Sequence, residues 1–150
     1  MAIARGAGTE IIRSIHLENV TSTARRMIVG VQHHIYTVLS TIVTTVSVGT
    51  AGDTFMLAII GHDHHGGADS NATTMRIAVV TSVATETFVF NDKFSFNGFG
   101  AAAYTEPLST AAEQVTIAAQ GGTLNRYQVL SMQSDSPLDV HVTYIDQNNA

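Results

Sequence analysis

Thr41-Ile-Val-Thr-Thr-Val-Ser-Val48 is the stretch on which the reading of this chain turns. It lies in a longer segment, Met27 to Val48, where Val31, Ile35, Val38, Leu39, Ile42 and Val46 recur at spacings that also suit one face of a helix. From Thr41 to Val48, however, every residue except Ser47 is β-branched. Such side chains lose rotamer freedom against the preceding turn of a helix and pack well on a pleated surface. Propensity outweighs periodicity here, and the segment is expected to form two strands with a bend near His33 to Ser40.

Similar runs recur on either side. Toward the N-terminus, Glu10 to Val20 alternates Ile11, Arg13, Ile15 and Leu17 with the more polar Ile12, Ser14, His16 and Glu18, the pattern of a half-buried strand. Toward the C-terminus, the turn Gly49-Thr-Ala-Gly-Asp53 leads into Phe55-Met-Leu-Ala-Ile-Ile60, apolar on both faces and so expected at the middle of a sheet or against another subunit. Met75 to Val83 sets Ile77, Val79, Thr81 and Val83 on one face and Arg76, Ala78, Val80 and Ser82 on the other. Phe88-Val-Phe90 and Phe94-Ser-Phe96 flank Asn91-Asp92, which predicts a hairpin. Ala101 to Ser109, containing Pro107, reads as a long loop, and Thr110-Ala-Ala-Glu113 as one capped helical turn.

Three last strands are expected around Gln114 to Ala119, Arg126 to Met132 and Leu138 to Ile145. Eight or nine short strands parted by Gly, Asn, Asp and Ser predict an all-β fold, an antiparallel β-sandwich or jelly-roll-like barrel. Residues 1–9 read as an N-terminal arm and 147–150 as a polar tail. No repeat or linker divides the chain, so residues 1–150 are expected to form a single β domain.

A chain of 150 residues can bury about two-thirds of its unfolded surface. Charged residues make up only 13% of it, about half the usual share, and its net charge is -5 with Lys93 the one lysine. Strong binding to a phosphate backbone needs clustered positive charge, so nucleic acid is not an expected partner. There is no cysteine, which excludes disulfides and thiolate chemistry and suits synthesis in a reducing cytoplasm. No apolar run reaches the length of a membrane span, and no secretory signal is expected in Met1-Ala-Ile-Ala-Arg-Gly-Ala-Gly8. With one lysine and two prolines to guard its sheet edges, the protein is expected to be covered by neighbours, as a homo-oligomer.

The densest cluster of chemistry-bearing residues is His62-Asp63-His64-His65-Gly66-Gly67. On a continuing strand His62 and His64 would share a face and could ligate one metal ion, with Asp69, His33, His34 or His141 as a third ligand. Cupins follow their His-x-His pair with a glutamate, which is missing here, and the His-x-His-x-Asp-His pattern of metallo-β-lactamases is not met. The expected reading is a polar connection whose histidines face solvent or a neighbour. No metal and no cofactor is expected; His62, His64 and His65 are the leading candidates if a metal binds. His33 and His34 should point opposite ways, one buried and one exposed. No Gly-x-Ser-x-Gly elbow and no phosphate-binding glycine loop occurs, so enzymatic activity is not expected. The phenylalanines at 88, 90, 94, 96 and 99 are expected to pack into a core.

The arm Met1 to Thr9 leading straight into a strand, the Thr-, Val- and Ala-rich strands, the absence of cysteine and the near-absence of lysine resemble the virion structural proteins of tailed bacteriophages, especially small capsid cement or decoration proteins. The likeness covers the whole chain in style. It implies a sandwich or jelly roll that assembles as a trimer, is made in the host cytoplasm, and sits on the capsid surface clamping neighbouring subunits of the major capsid protein. Arg5, Ile11, Arg13, His62 and His64 are the candidate assembly residues. Two alternatives remain open: a tail, adaptor or fibre component of such a virion, and a metal-dependent cupin-like enzyme or ligand-binding β-barrel.

Overall fold

The computed structural model describes residues 8–31, 33–61, 74–98 and 128–148. These form nine strands: β1 (Thr9–Val20), β2 (Arg25–Val29), β3 (His34–Thr45), β4 (Thr54–Ile60), β5 (Thr74–Thr81), β6 (Thr87–Phe90), β7 (Phe94–Asn97), β8 (Val129–Ser134) and β9 (Leu138–Asn148). Among the described residues no helix is long and apolar enough to cross a membrane. One sheet runs β1-β9-β3, with β6 and β7 end to end along the far side of β3; the other runs β2-β8-β4-β5. With β6 and β7 taken as one interrupted strand, first pairs with last (β1 with β9), second with second-last (β2 with β8), and so inward to β4 with β5. That nesting is the wrapped hairpin of a jelly roll, and the fold is an antiparallel two-sheet sandwich as the sequence predicts.

The ambiguous segment resolves into β2 and β3, broken at Gly30 to His33, just ahead of the expected bend. The bend itself is a bulge: Val38 pairs with Tyr144 and Ser40 with Thr143, leaving Leu39 unmatched. Inward-facing residues are therefore Tyr36 and Val38 before the bulge and Thr41, Val43 and Thr45 after it. The step of three from Val38 to Thr41 is what imitates helical spacing. A second bulge, on β1 between Leu17 and Val20, carries Asn19 at a φ of 53° and turns Val20 into the core.

The apolar strand β4 lies inside its sheet between β8 and β5, as expected. Beside it, Ile77 is the extra residue of a bulge on β5, and Ala78 and Val80 pack toward the core while Met75, Val79 and Val83 stay exposed. The expected hairpin at Asn91-Asp92 does not form. Phe88 and Phe90 of β6 pair with β3 at Val43 and Thr41, and Phe94 and Phe96 of β7 pair with β3 at Val38 and Tyr36. By running on, the chain gives both short strands the backbone partners of one long strand and turns all four rings to the inner face.

The termini are more extended than the sequence suggests. Thr9, assigned to the arm, opens β1, and Gln147 and Asn148, assigned to the tail, close β9 by pairing with Glu10 and Thr9 on one side and Ile35 and His34 on the other. Long strands on both flanks supply these polar residues with partners. The strand expected at Arg126 to Met132 is β8, displaced to Val129–Ser134. The loop at Ala101 to Ser109, the turn at Thr110 to Glu113 and the strand at Gln114 to Ala119 lie outside the described residues.

Between the sheets the core is continuous. Phe55, Leu57, Leu130, Met132, Val140 and Val142 are all but inaccessible, and the Phe55 ring lies 5.6 Å from Phe88 and 6.4 Å from Phe90 on the opposite sheet. One end of the sandwich is tied by carboxylates. Asp53 accepts from the Thr50 amide at 3.1 Å and from the Ser136 hydroxyl, and Asp135 accepts from the Thr54 amide at 2.9 Å. These bonds join the β3–β4 and β8–β9 connections.

Candidate functional site

Two faces of the β1-β9-β3 sheet carry the chemistry. On the inner face, at the end opposite that carboxylate network, register places Ile11, Asp146 and Tyr36 in one row and Arg13, Tyr144 and Val38 in the next. The Asp146 side chain is 8% exposed; it lies 2.7 Å from Nδ1 of His34 and 3.4 Å from Nε of Arg13. An ionised carboxylate only accepts, so Nδ1 of His34 is the donor and carries the proton. Tyr36 stacks on Phe96 at 5.3 Å, and its hydroxyl accepts from the Val31 amide at 3.0 Å. His33, at a φ of 68°, is exposed on the turn and His34 is partly buried, so the expected exposed residue is present but its partner is not fully buried and the two are not neighbours on one strand.

Burial, then the charge of Asp146, pushes the Tyr36 phenol well above the ordinary tyrosine range, and burial raises Tyr144 in the same direction. Neither is a base near neutral pH. The cluster is a charge-balanced seal on the end of the sandwich, with Arg13 holding the edge strand β1 to β9. Its tyrosines yield a test. Below about pH 10 the folded and unfolded chains both keep these protons; above it the unfolded chain releases them first, so folding stability should fall as pH rises. Tyrosinate absorbance should show Tyr36 ionising only together with loss of the fold, and Tyr144 ionising later than a solvated tyrosine. Free titration of every tyrosine near pH 10 in a chain that stays folded would show the phenols to be solvated.

The outer face of the same sheet is built differently. Its rows read Ile12–Ile145–Thr37–Ser95, then Ser14–Thr143–Ser40, then His16–His141–Ile42–Val89. No carboxylate, lysine or arginine interrupts them; Glu10 lies beyond one margin, and Glu18 and Asp139 beyond the other. Ile12 is 72% exposed and Val89 54%, with Ile35 and Ile42 also open to solvent. Two hydroxyl pairs bond sideways, Thr37 to Ser95 in the first row and Thr44 to Thr87 beyond the third, level with Asp139, each at 2.9 Å. Polar groups already paired within the sheet are not orphaned when the face is covered, which lowers the cost of docking something on it.

The described residues also enclose an internal cleft. Where the sheets part, between β5 and β6–β7, a cleft of about 280 Å³ is lined by Leu57, Ile77, Ala78, Phe90 and Phe94, with Asp92 and Lys93 at its mouth. Among the described residues no three histidine or carboxylate side chains stand close enough to hold a metal ion. Of the expected assembly residues, Ile11 and Arg13 sit on β1 with their side chains in the inner-face rows, Arg13 engaged by Asp146. Arg5, His62, His64 and the further metal candidate His65 lie outside the described residues. The outer face was visible in the sequence only as the polar side of the first strand, where Ile12, Ser14 and His16 run without a charge.

No protein-family model matches the chain, and no curated protein matches its sequence. Solved structures overlap it loosely. A Bacillus endospore appendage protein, from a family of disulfide-linked pili, superposes with a TM-score of 0.42 at 10% identity, covering 100% of this chain and 97% of that one. The CBM22-1–GH10 modules of the Clostridium thermocellum xylanase 10B, complexed with xylohexaose, give 0.40 at 16% identity over 90% of this chain and 22% of that one. A chain of maize chlorotic mottle virus gives 0.30 at 14% identity over 95% and 96%. Overlaps this loose carry nothing about activity or partners.

Proposed function

We propose that this protein is a structural subunit of a virus particle, and within that class a cement or decoration protein of a tailed-bacteriophage capsid. In this reading it is not an enzyme: it forms a homotrimer on the capsid surface and clamps subunits of the major capsid protein. The observation that supports this is the outer face of the β1-β9-β3 sheet, three successive rows free of carboxylates, lysines and arginines, with exposed isoleucines and hydroxyls bonded sideways. A free-standing protein gains nothing from such a face, whereas a subunit buried among neighbours loses little side-chain entropy or hydration in covering it.

The test is self-association. Light scattering of the parent chain at micromolar concentration is expected to give a trimer. Ile12→Lys with Ile42→Lys should weaken association by about a hundredfold, because two ammonium groups would be desolvated at the contact. The same pair should leave the circular dichroism unchanged, since both side chains are open to solvent. A stable monomer in the parent, or a trimer indifferent to both lysines, would remove the outer face from the assembly.

A further inference from the structure

His16 and His141 are register partners on β1 and β9, both on the outer face. Their ring centres lie 6.0 Å apart with planes inclined at 46°. Two imidazoles that share one ion, each nitrogen about 2 Å from it, have ring centres roughly 5 Å apart, so the rings must approach by about 1 Å and each turn a nitrogen toward the ion. The backbone beneath is fixed: β9 is an inner strand, hydrogen-bonded to β1 on one side and to β3 on the other. A third donor is at hand. Oε1 of Glu18, two residues along the same face, is 3.6 Å from Nε2 of His16. The side chains of His16 and Glu18 are 54% and 73% exposed, free to change rotamer. Asp139, two residues from His141 on β9, adds negative charge at the same margin while its carboxylate accepts from the Asn19 amide at 3.1 Å.

We propose that His16 and His141 form a two-imidazole surface site for a borderline divalent cation such as Zn²⁺ or Ni²⁺, which Glu18 completes only by changing rotamer, since in the present arrangement the three side chains do not stand close enough to share an ion. Imidazole suits these ions and not Mg²⁺ or Ca²⁺, which take oxygen ligands. The remaining coordination positions point away from the sheet and hold water. Bound there, the ion staples the edge strand β1 to β9, and because only the folded chain brings the two rings together it raises the melting temperature with concentration. Acid releases it, since protons compete for the same ring nitrogens. One chain supplies all three donors, but the pair lies on the face proposed to meet a neighbour, so the titration is also run on an Ile12→Lys chain, in which a covered face cannot be the cause of failure to bind.

The experiment is calorimetric titration with NiCl₂ alone. It is run on the full chain and on a His62→Ala, His64→Ala, His65→Ala background that removes the other histidine cluster. One equivalent should bind in that background with micromolar affinity. His16→Thr or His141→Thr should each weaken it by about tenfold or more, and Glu18→Gln by about twofold to fivefold. In the proton spectrum of the unsubstituted chain, the imidazole signals of His16 and His141 should broaden together on adding Ni²⁺, a readout that holds even if a variant folds poorly. No binding in the background protein, binding indifferent to either threonine, or broadening that spares this pair would each overturn the proposal.

Discussion

Replacing Phe55 by alanine should lower folding stability by about 3–5 kcal/mol, the range for truncating a fully buried phenylalanine. The ring has no accessible surface and meets Phe88 and Phe90 of the opposite sheet edge-on or tilted, so it spans the sandwich near its middle. Its loss removes burial and also leaves a void that strands held by ladders on both flanks cannot collapse to fill. Urea denaturation should show the midpoint falling with little change in slope, since the surface exposed on unfolding is nearly the same. If Phe55→Ala changed stability by less than about 1 kcal/mol, the close packing described around this ring would have to be given up.

The fold was legible because β-branched density says more about backbone conformation than spacing does. Where spacing misled, the cause was local. Leu39 and Ile77 are bulge residues, and one extra residue reverses which face every later side chain takes, a shift that single-sequence alternation cannot reveal. The hairpin at Asn91-Asp92 failed for a different reason. Turn-forming residues permit a reversal but do not compel one, and β3 offered twelve residues of partner to a chain that kept going straight.

The candidate sites were harder to see. Asp146 falls between the expected last strand and the polar tail in the sequence, and only pairing across three strands brings it to His34 and Arg13. The His16–His141 pair joins residues far apart in the chain and needs the register of first strand against last. The outer face likewise exists only once three strands are laid side by side, since no single strand announces that its neighbours also lack charge.

The second large effect is expected where the chain crosses between the sheets, at Gly98→Ala. A β-carbon on Gly98 would collide with the backbone oxygen and nitrogen of Val31, and one on Gly30 would come within 2.5 Å of the Gln128 oxygen and 2.6 Å of the Gly98 Cα. These obstacles are main-chain atoms and cannot rotate aside. The crossing is held from several directions: Gly98 donates to the His34 carbonyl and Gly30 to the Gln128 carbonyl, each at 2.9 Å, while the Val31 amide donates to Tyr36 at 3.0 Å. Making room means lifting the β2–β3 connection from the end of β7, which strains packing and loosens these bonds, for a total of about 3 kcal/mol. Gly49→Ala is the control, because its new methyl would meet only an Asp53 oxygen at 3.8 Å and should shift stability by no more than about 0.5 kcal/mol. Moving the connection also moves His34 and the amide that holds the Tyr36 hydroxyl. Gly98→Ala should therefore bring forward the alkaline ionisation of Tyr36 as well as lower the melting temperature, whereas an alanine that left both unchanged would mean the crossing does not pass over Gly98 as described.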